Sequence, residues 1–392
     1  MKKLMLNTVL SFRLATKNIL SAGLRTWLNI GVLSFAFVMI LFFNGLMDGW
    51  EKQAMHDSTD WEYGNGQFLH PDYDLEDPFT IRDGHGVFEK DENLTPILLH
   101  QGNIYPQGRM LPVLIKGIDI DQKTLSLPTD LLQNSTAEIP AMLGSYMAKT
   151  ANLKVGDQVL LRWKDKNGAF DARNITVVGV FDTNVPSVDI GQIWIPIETL
   201  WDMTGSTDHA TILVANEQYQ GENNTSWIHK SKEELLSDIT ALIETKKGGG
   251  AFMYVFLMTI ALIAIFDSQV FSVFKRQKEI GTYIALGFTK KRVTFLFTLE
   301  GTMYAVLATI VGGIYSFPLF RYLESNGIPI PSSEMSYEMG IAISERMYPD
   351  ISNELFFSSM LTVILLSVVV SYLPVRKISH MNPVDALKGK KL

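Results

Sequence analysis

Cysteine is missing from all 392 residues. Disulfides, thiolate metal sites and cysteine nucleophiles are thereby excluded. No GxxxxGKS or GxxxxGKT run occurs, so these residues carry no ATP-binding loop of that kind, and no GxSxG marks a serine hydrolase. The seven histidines include no HExxH and no close pair at metal-ligand spacing. Positive charge is in deficit: 34 Lys and Arg stand against 41 Asp and Glu, and the net charge of −7 argues against a nucleic-acid partner.

What is present is apolar and concentrated in four blocks. Residues 27–47 hold no charge and are bracketed by Trp27 and Trp50, as interfacial tryptophans often bracket a span. Residues 251–274 contain one charge, Asp267; residues 293–317 contain one, Glu300; residues 355–373 contain none, and Pro374 is expected to stop that block. Each block reaches roughly the 30 Å of a bilayer core. None shows the polar face that a soluble core helix needs. The first block fits a signal anchor better than a cleaved signal peptide: it is long, it begins late, and no A-x-A-like site follows.

Lys/Arg bias sets the orientation. Residues 1–27 hold five basic residues and no acid, 275–292 hold six and one, and 374–392 hold five and one, so all three are expected in the cytoplasm. Residues 318–354 hold two basic residues and six acids, and the insert 48–250 holds 16 and 31, so both are expected outside. The expected fold is an α-helical membrane protein with four transmembrane helices and a mixed α+β extracytoplasmic domain, of two lobes, inserted between helices 1 and 2.

Within the insert, Asp72, Asp74, Glu76 and Asp77 lie among turn residues without EF-hand spacing and read as solvated surface. ILLHQGNIY, LPVLIKGIDI, VGDQVLLRW, RNITVVGVFD, IGQIWIPI and HATILVAN read as strands. PAMLGSYMAKTAN and a polar stretch near Lys232–Lys246 read as helices, and Gly248, Gly249 and Gly250 as a linker into the second span.

The basic segment between spans two and three is the most informative. Ile280, Ile284 and Phe288 recur at helical spacing beside Tyr283; Gly287 suits a left-handed helix end, and Thr289 suits a cap for the next helix. Such a short amphipathic helix either rests on the membrane surface or docks on a cytoplasmic partner. Asp267 and Glu300 sit at similar depth, roughly 10 Å in, and are expected to face the bundle, as a polar contact orienting the spans, as a gate, or as locally bonded groups.

RQKEIGTYIALGFTKKRVTFLFTLEG resembles the signature of the FtsX/MacB/LolC superfamily of ABC-transporter permeases, through Glu279-Ile280-Gly281, Ala285-Leu286-Gly287, Lys290-Lys291-Arg292 and Glu300-Gly301. Leu373-Pro374-Val375-Arg376 with Asn382-Pro383-Val384-Asp385-Ala386-Leu387 resembles the family's C-terminal pattern, and FRLATKNILSAGLRTWL its amphipathic entry helix over 1–26. LGSYMAKTANLKVGDQVLL and ITVVGVF resemble its periplasmic core domain. The long loop 318–354, with a possible short helix after Pro331, departs from the family pattern.

The resemblance, closest to the LolC/LolE type, implies a non-catalytic permease in the bacterial inner membrane. Its coupling helix would contact a separate ABC ATPase dimer through Arg276, Glu279, Ile280, Gly281, Tyr283, Ile284, Leu286, Gly287 and Phe288. ATP and Mg would bind that partner and not this chain. A second permease subunit, identical or similar, would complete the assembly. In lipoprotein-releasing members a lipid-anchored protein enters a lateral cavity and passes to a periplasmic carrier; Phe35, Phe37, Val38, Leu41 and Phe42 would suit its acyl chains, ordinary lipid or a dimer interface. The leading expectation is lipoprotein release. The alternatives are mechanotransmission to an efflux or cell-envelope partner, and a membrane-anchored binding protein without ATPase coupling.

Overall fold

The computed structural model describes residues 24–219, 226–329 and 346–379. The expected entry helix therefore lies outside the described residues except for its last turn, as do the C-terminal Asn382–Leu387 pattern and the helix expected after Pro331. Helix α1 is Leu24–Ser58, continued by a π-helical turn, Thr59–Tyr63. The strands are β1 Gln67–Leu69, β2 Gly86–Val87, β3 Leu94–Ile104, β4 Leu111–Ile118, β5 Pro140–Gly144, β6 Gln158–Lys164, β7 Phe170–Phe181, β8 Gln192–Pro196, β9 His209–Ala210, β10 Ile212–Ala215 and β11 Ile228–Lys230. Between them lie α2, Ser145–Ala151, and α3, Ile197–Thr204. Then come α4, Lys232–Lys275; α5, Gln277–Ala285; α6, Lys290–Asn326; and α7, Asn353–Ser379. Helices α1, α4, α6 and α7 are each long and apolar enough to cross a membrane.

The chain divides into two compact units. One comprises the described parts of Met1–Gly49, Ile243–Ile328 and Tyr348–Leu392; the other comprises those of Trp50–Leu242 and Pro329–Met347. The second is a mixed α/β domain built on one nine-stranded sheet of order β11-β1-β10-β3-β4-β8-β5-β7-β6. Strand β3 also pairs with β6, so six strands close on themselves. The ring mixes parallel pairs (β4 with β8, β5 with β7) and antiparallel ones. Alternation explains its core: in β6, Val159, Leu161 and Trp163 point inward, and in β7, Ile175 and Val177 do. They meet Ile115, Leu143 and Ile193 from the facing strands.

The six expected strand segments all carry strands. The helix read from PAMLGSYMAKTAN begins later: Pro140–Gly144 is a buried strand paired with β7, and only Ser145–Ala151 is helical. The buried Asp189 carboxylate sets that start by accepting the backbone N–H of Tyr146 at 2.9 Å and of Met147 at 2.8 Å.

The other unit is the helix bundle. Ile30, Leu33, Phe37 and Leu41 of α1 pack with Ala261 and Ile265 of α4, Ala305 and Ala308 of α6, and Val363 of α7. Three boundaries need correction. The expected glycine linker is helical: Gly248–Gly250 lie inside α4. Each glycine costs about 1 kcal/mol against alanine, but long helical flanks and the seat of Phe43 against Gly250 outweigh that. Nor does Pro374 stop the fourth block, which stays helical to Ser379, and the third runs past residue 317 to Asn326 with Pro318 inside the helix. Residues just beyond each proline are anchored in cores, Phe320 in the bundle and Val375 beside Phe297. Finally, α1 runs eleven residues past Met47 to Ser58. Trp50, Ala54 and Ser58, buried at intervals of four, form a helical stripe among charged neighbours.

Candidate functional site

Helix α4 ends at Lys275, and Arg276 leaves helical geometry (φ −101°, ψ 18°) before α5 begins. Helix α5 closes as its spacing implies. Gly287 has φ +90°, and its N–H and that of Phe288 donate to the carbonyls of Ile284 and Tyr283, each at 3.0 Å. Thr289 precedes α6 in extended geometry but makes no side-chain cap; its backbone carbonyl receives Arg292 N–H at 2.9 Å and Val293 N–H at 3.2 Å.

The residues expected to meet a partner divide between two faces. Ile280, only 2% exposed, packs with Val273, Val293, Phe297 and Val375, and Tyr283 and Ile284 lean on the same cluster. Gly281 is buried too. Ile280 and Gly281 face the bundle of this chain, and Tyr283 and Ile284 are half-buried against it. Glu279, Leu286 (72% exposed), Gly287 and Phe288 (41% exposed) face outward with Lys278 and Thr282. Phe288 is steadied by Tyr283, ring centroids 5.5 Å apart.

Arg276 links the two groups of site residues that the sequence left separate. Its Nε donates to Glu279 Oε2 at 2.7 Å, and its Nη1 donates to Glu300 Oε2 at 2.9 Å. Glu300 has a side-chain exposure of 6%. Removing one partner from so buried a pair typically costs about 3–5 kcal/mol. Burial alone would lower the Arg276 pKa, but the Glu300 and Glu279 carboxylates raise it above the ordinary arginine value.

Asp267 behaves differently. It is exposed on α4, so the two carboxylates expected within the membrane do not both face the bundle of this chain. Similar depth does not fix rotation about the helix axis. Gly301, beside Glu300, has its own reason: a Cβ there would collide with Ser371 Oγ and lie 2.9 Å from Gln269 Nε2. The Glu-Gly dipeptide thus serves an ion pair and a close helix approach in adjacent positions.

The proposed acyl-facing residues of α1 also need correction. Phe37, Val38 and Leu41 are interior, and Phe42 is half-buried against the same core; only Phe35 turns outward, with Trp27, Leu28 and Val32. The apolar run had no polar positions to reveal which side faced in.

In the β-domain the fold brings together a pair invisible in the sequence. His85 Nδ1 and His209 Nδ1 lie 2.8 Å apart, 124 residues distant along the chain. Their loops border a cleft of about 1050 Å³ lined by Asp83, His85, His100, Lys164 and Phe170, among others. Burial, and then the neighbouring His209, His100 and His70, hold the His85 pKa below the ordinary value. Burial, His70 and Lys166 do the same at His209. The acids of 72–77 cap turns: Asp74 accepts from Glu76 N–H and Asp77 from Phe79 N–H, each at 2.9 Å. Among the described residues, no three His, Asp or Glu converge as a metal site.

Residues 251–383, which include α5 and the Arg276 ion pairs, match the family model for the FtsX-like permease C-terminal region. The macrolide export ATP-binding/permease protein MacB of Haemophilus ducreyi is 21% identical, over 96% of this chain and 56% of that protein. MacB 1 of Yersinia pestis is 24% identical, over 50% of this chain and 30% of that protein. The chain thus spans less than two thirds of the length of these curated relatives. The crystal structure of the periplasmic region of MacB from Actinobacillus actinomycetemcomitans aligns with a TM-score of 0.30 at 12% identity, covering 48% of this chain and 98% of that one. The chain is thus similar to the FtsX-like permease family over residues 251–383 and to MacB proteins over most of its length.

Proposed function

We propose that this chain is a permease of the FtsX/MacB type whose helix α5 docks on a separate ABC ATPase dimer and whose β-domain is driven on the opposite side of the inner membrane. The observation that carries this reading is the division of α5. One face is locked to Val293, Phe297 and Val375, and the other presents Glu279, Leu286 and Phe288 outward. A helix of nine residues with exposed leucine and phenylalanine at its end fits a groove on a partner. The ATPase supplies the ATP and Mg sites. Two copies of the ATPase call for two permease subunits, identical or similar. The Lys/Arg bias puts α5 in the cytoplasm and the acidic insert 48–250 in the periplasm.

Among the cargo readings, mechanotransmission to an efflux or envelope partner is favoured over lipoprotein release to a periplasmic carrier. The relatives named above are called macrolide export proteins. Three of the five residues expected to line an acyl cavity are interior to the bundle. The test is reconstitution of the chain with its candidate ATPase in vesicles carrying labelled lipoprotein. Stimulated ATP hydrolysis without release, in the presence of a soluble carrier, is expected. ATP-dependent release would reverse the preference, and failure of the ATPase to bind would remove the docking role of α5.

A further inference from the structure

Arg276 is the one residue between α4 and α5, and its guanidinium reaches two further places. It holds Glu279 on α5 and Glu300 on α6, and it lies 4.9 Å from the ring centroid of Phe297, also on α6. The apolar seat of α5 on Val293, Phe297 and Val375 is non-directional: it resists separation but tolerates rotation and sliding. A planar fork engaging one carboxylate on each helix is directional and fixes their mutual angle. Glu300 is buried, whereas Glu279 is half-exposed, so the fork is anchored on α6 and reaches out to α5.

Resting on the reading of α5 as the ATPase-docking helix, we propose that Arg276 is a positioning residue that clamps α5 to α6, so that a push on α5 moves α6 with it as one body. Lysine in its place would keep a charge near Glu300 but could not serve two carboxylates and a ring in fixed directions. Arg276→Lys therefore separates the clamp from charge neutralisation.

The absence of native cysteine makes the test clean. Spin labels at Lys278→Cys on α5 and Phe295→Cys on α6, both exposed positions, report one distance distribution in the full chain in detergent. A narrow distribution is expected with Arg276 present, and at least a doubling of its width in Arg276→Lys. A control pair at Ile310→Cys and Leu361→Cys, on α6 and α7, stays unchanged in both, which a general loosening of the bundle would not allow. Should Arg276→Lys fail to fold, Glu279→Gln removes the α5 end of the clamp from an exposed position, and it too broadens the distribution. An unchanged width in the folded variants overturns the clamp. Adding the ATPase with Mg-ATP then tests the motion: the α5–α6 distance stays fixed in the parent chain, and a shift there overturns the proposal. If the ATPase does not bind the parent chain, the docking reading falls, while the clamp stands or falls on the widths measured without it.

Discussion

In the β-domain, Trp163, Trp194 and Trp201 bury their rings, and each indole N–H finds a backbone carbonyl, of Met203, Val188 and His209, at 2.8–2.9 Å. Among the described residues, Asn29, Gln269, Thr298, Ser367 and Ser371 of the helix bundle each bury a polar atom with no hydrogen-bond partner, against Gln192 Oε1 alone in the β-domain. The two regions therefore specify themselves differently. A core with engaged donors has one low-energy arrangement. A seam of small polar side chains beside a glycine, as at Gln269, Gly301 and Ser371, brings helices close without engaging every polar group. The burial of α4 points the same way: only 17% of its apolar window is covered within the chain. The domain closes its core from its own strands, whereas the bundle leaves most of the α4 apolar window uncovered.

The contrast can be broken most forcefully at Trp163. Trp163→Ala should cost the domain about 3–5 kcal/mol in denaturant unfolding followed by circular dichroism. A loss below 1 kcal/mol would mean that the ring core is not the organising element. In the bundle, Gly301→Val should lower stability in detergent by about 1–3 kcal/mol through overpacking, and Ser371→Gly in the same chain should recover part of it. No effect of Gly301→Val would remove the close seam.

The histidine pair offers a smaller effect with a definite sign. His85 and His209 have folded pKa values below the unfolded value of about 6.5, so the unfolded chain binds more protons. Their neutral forms contribute stability that is fully present above pH 6.5 and is lost as pH falls through that value toward the lower folded pKa. His70, His100 and Lys166 oppose protonation there, and Asp83 and Asp208 favour it. Thermal unfolding of the domain should drop on acidification from pH 7.5 to 5, and His209→Asn should flatten the drop. The smallest effect on stability belongs to Leu286→Asp, within about 0.5 kcal/mol because the side chain is exposed, yet it should abolish ATPase capture in a pull-down; Ile280→Asp should instead unseat α5.

Much of the fold is legible in the sequence where pattern and physics coincide. Alternation in VGDQVLLRW and RNITVVGVFD marks β6 and β7 because one side of each strand is buried and the other is wet. Gly287 marks the end of α5 because that turn needs a positive φ. The misreadings share a cause: each needed a tertiary partner. The helical state of Gly248–Gly250 depends on flanks and on Phe43, and the start of α2 on Asp189, more than 40 residues away. The inward face of α1 is unreadable because Phe35 and Phe37 are chemically alike. Over residues 276–288 the sequence identified the helix but not its split, since Ile280 and Leu286 differ only in what packs beside them.

The sheet order has a consequence for how the domain is made. Strand β1, residues 67–69, lies between β10 and β11, whose residues come some 140 to 160 positions later. The long strand β3 likewise takes β4, β6 and β10 as neighbours. Pairings so distant in the chain fold slowly. During synthesis, the first strand to leave the ribosome waits with open edges until nearly all of residues 48–230 have been made. The growing chain therefore passes through a stage in which β1 and β3 present open edges to β-pairing with other chains.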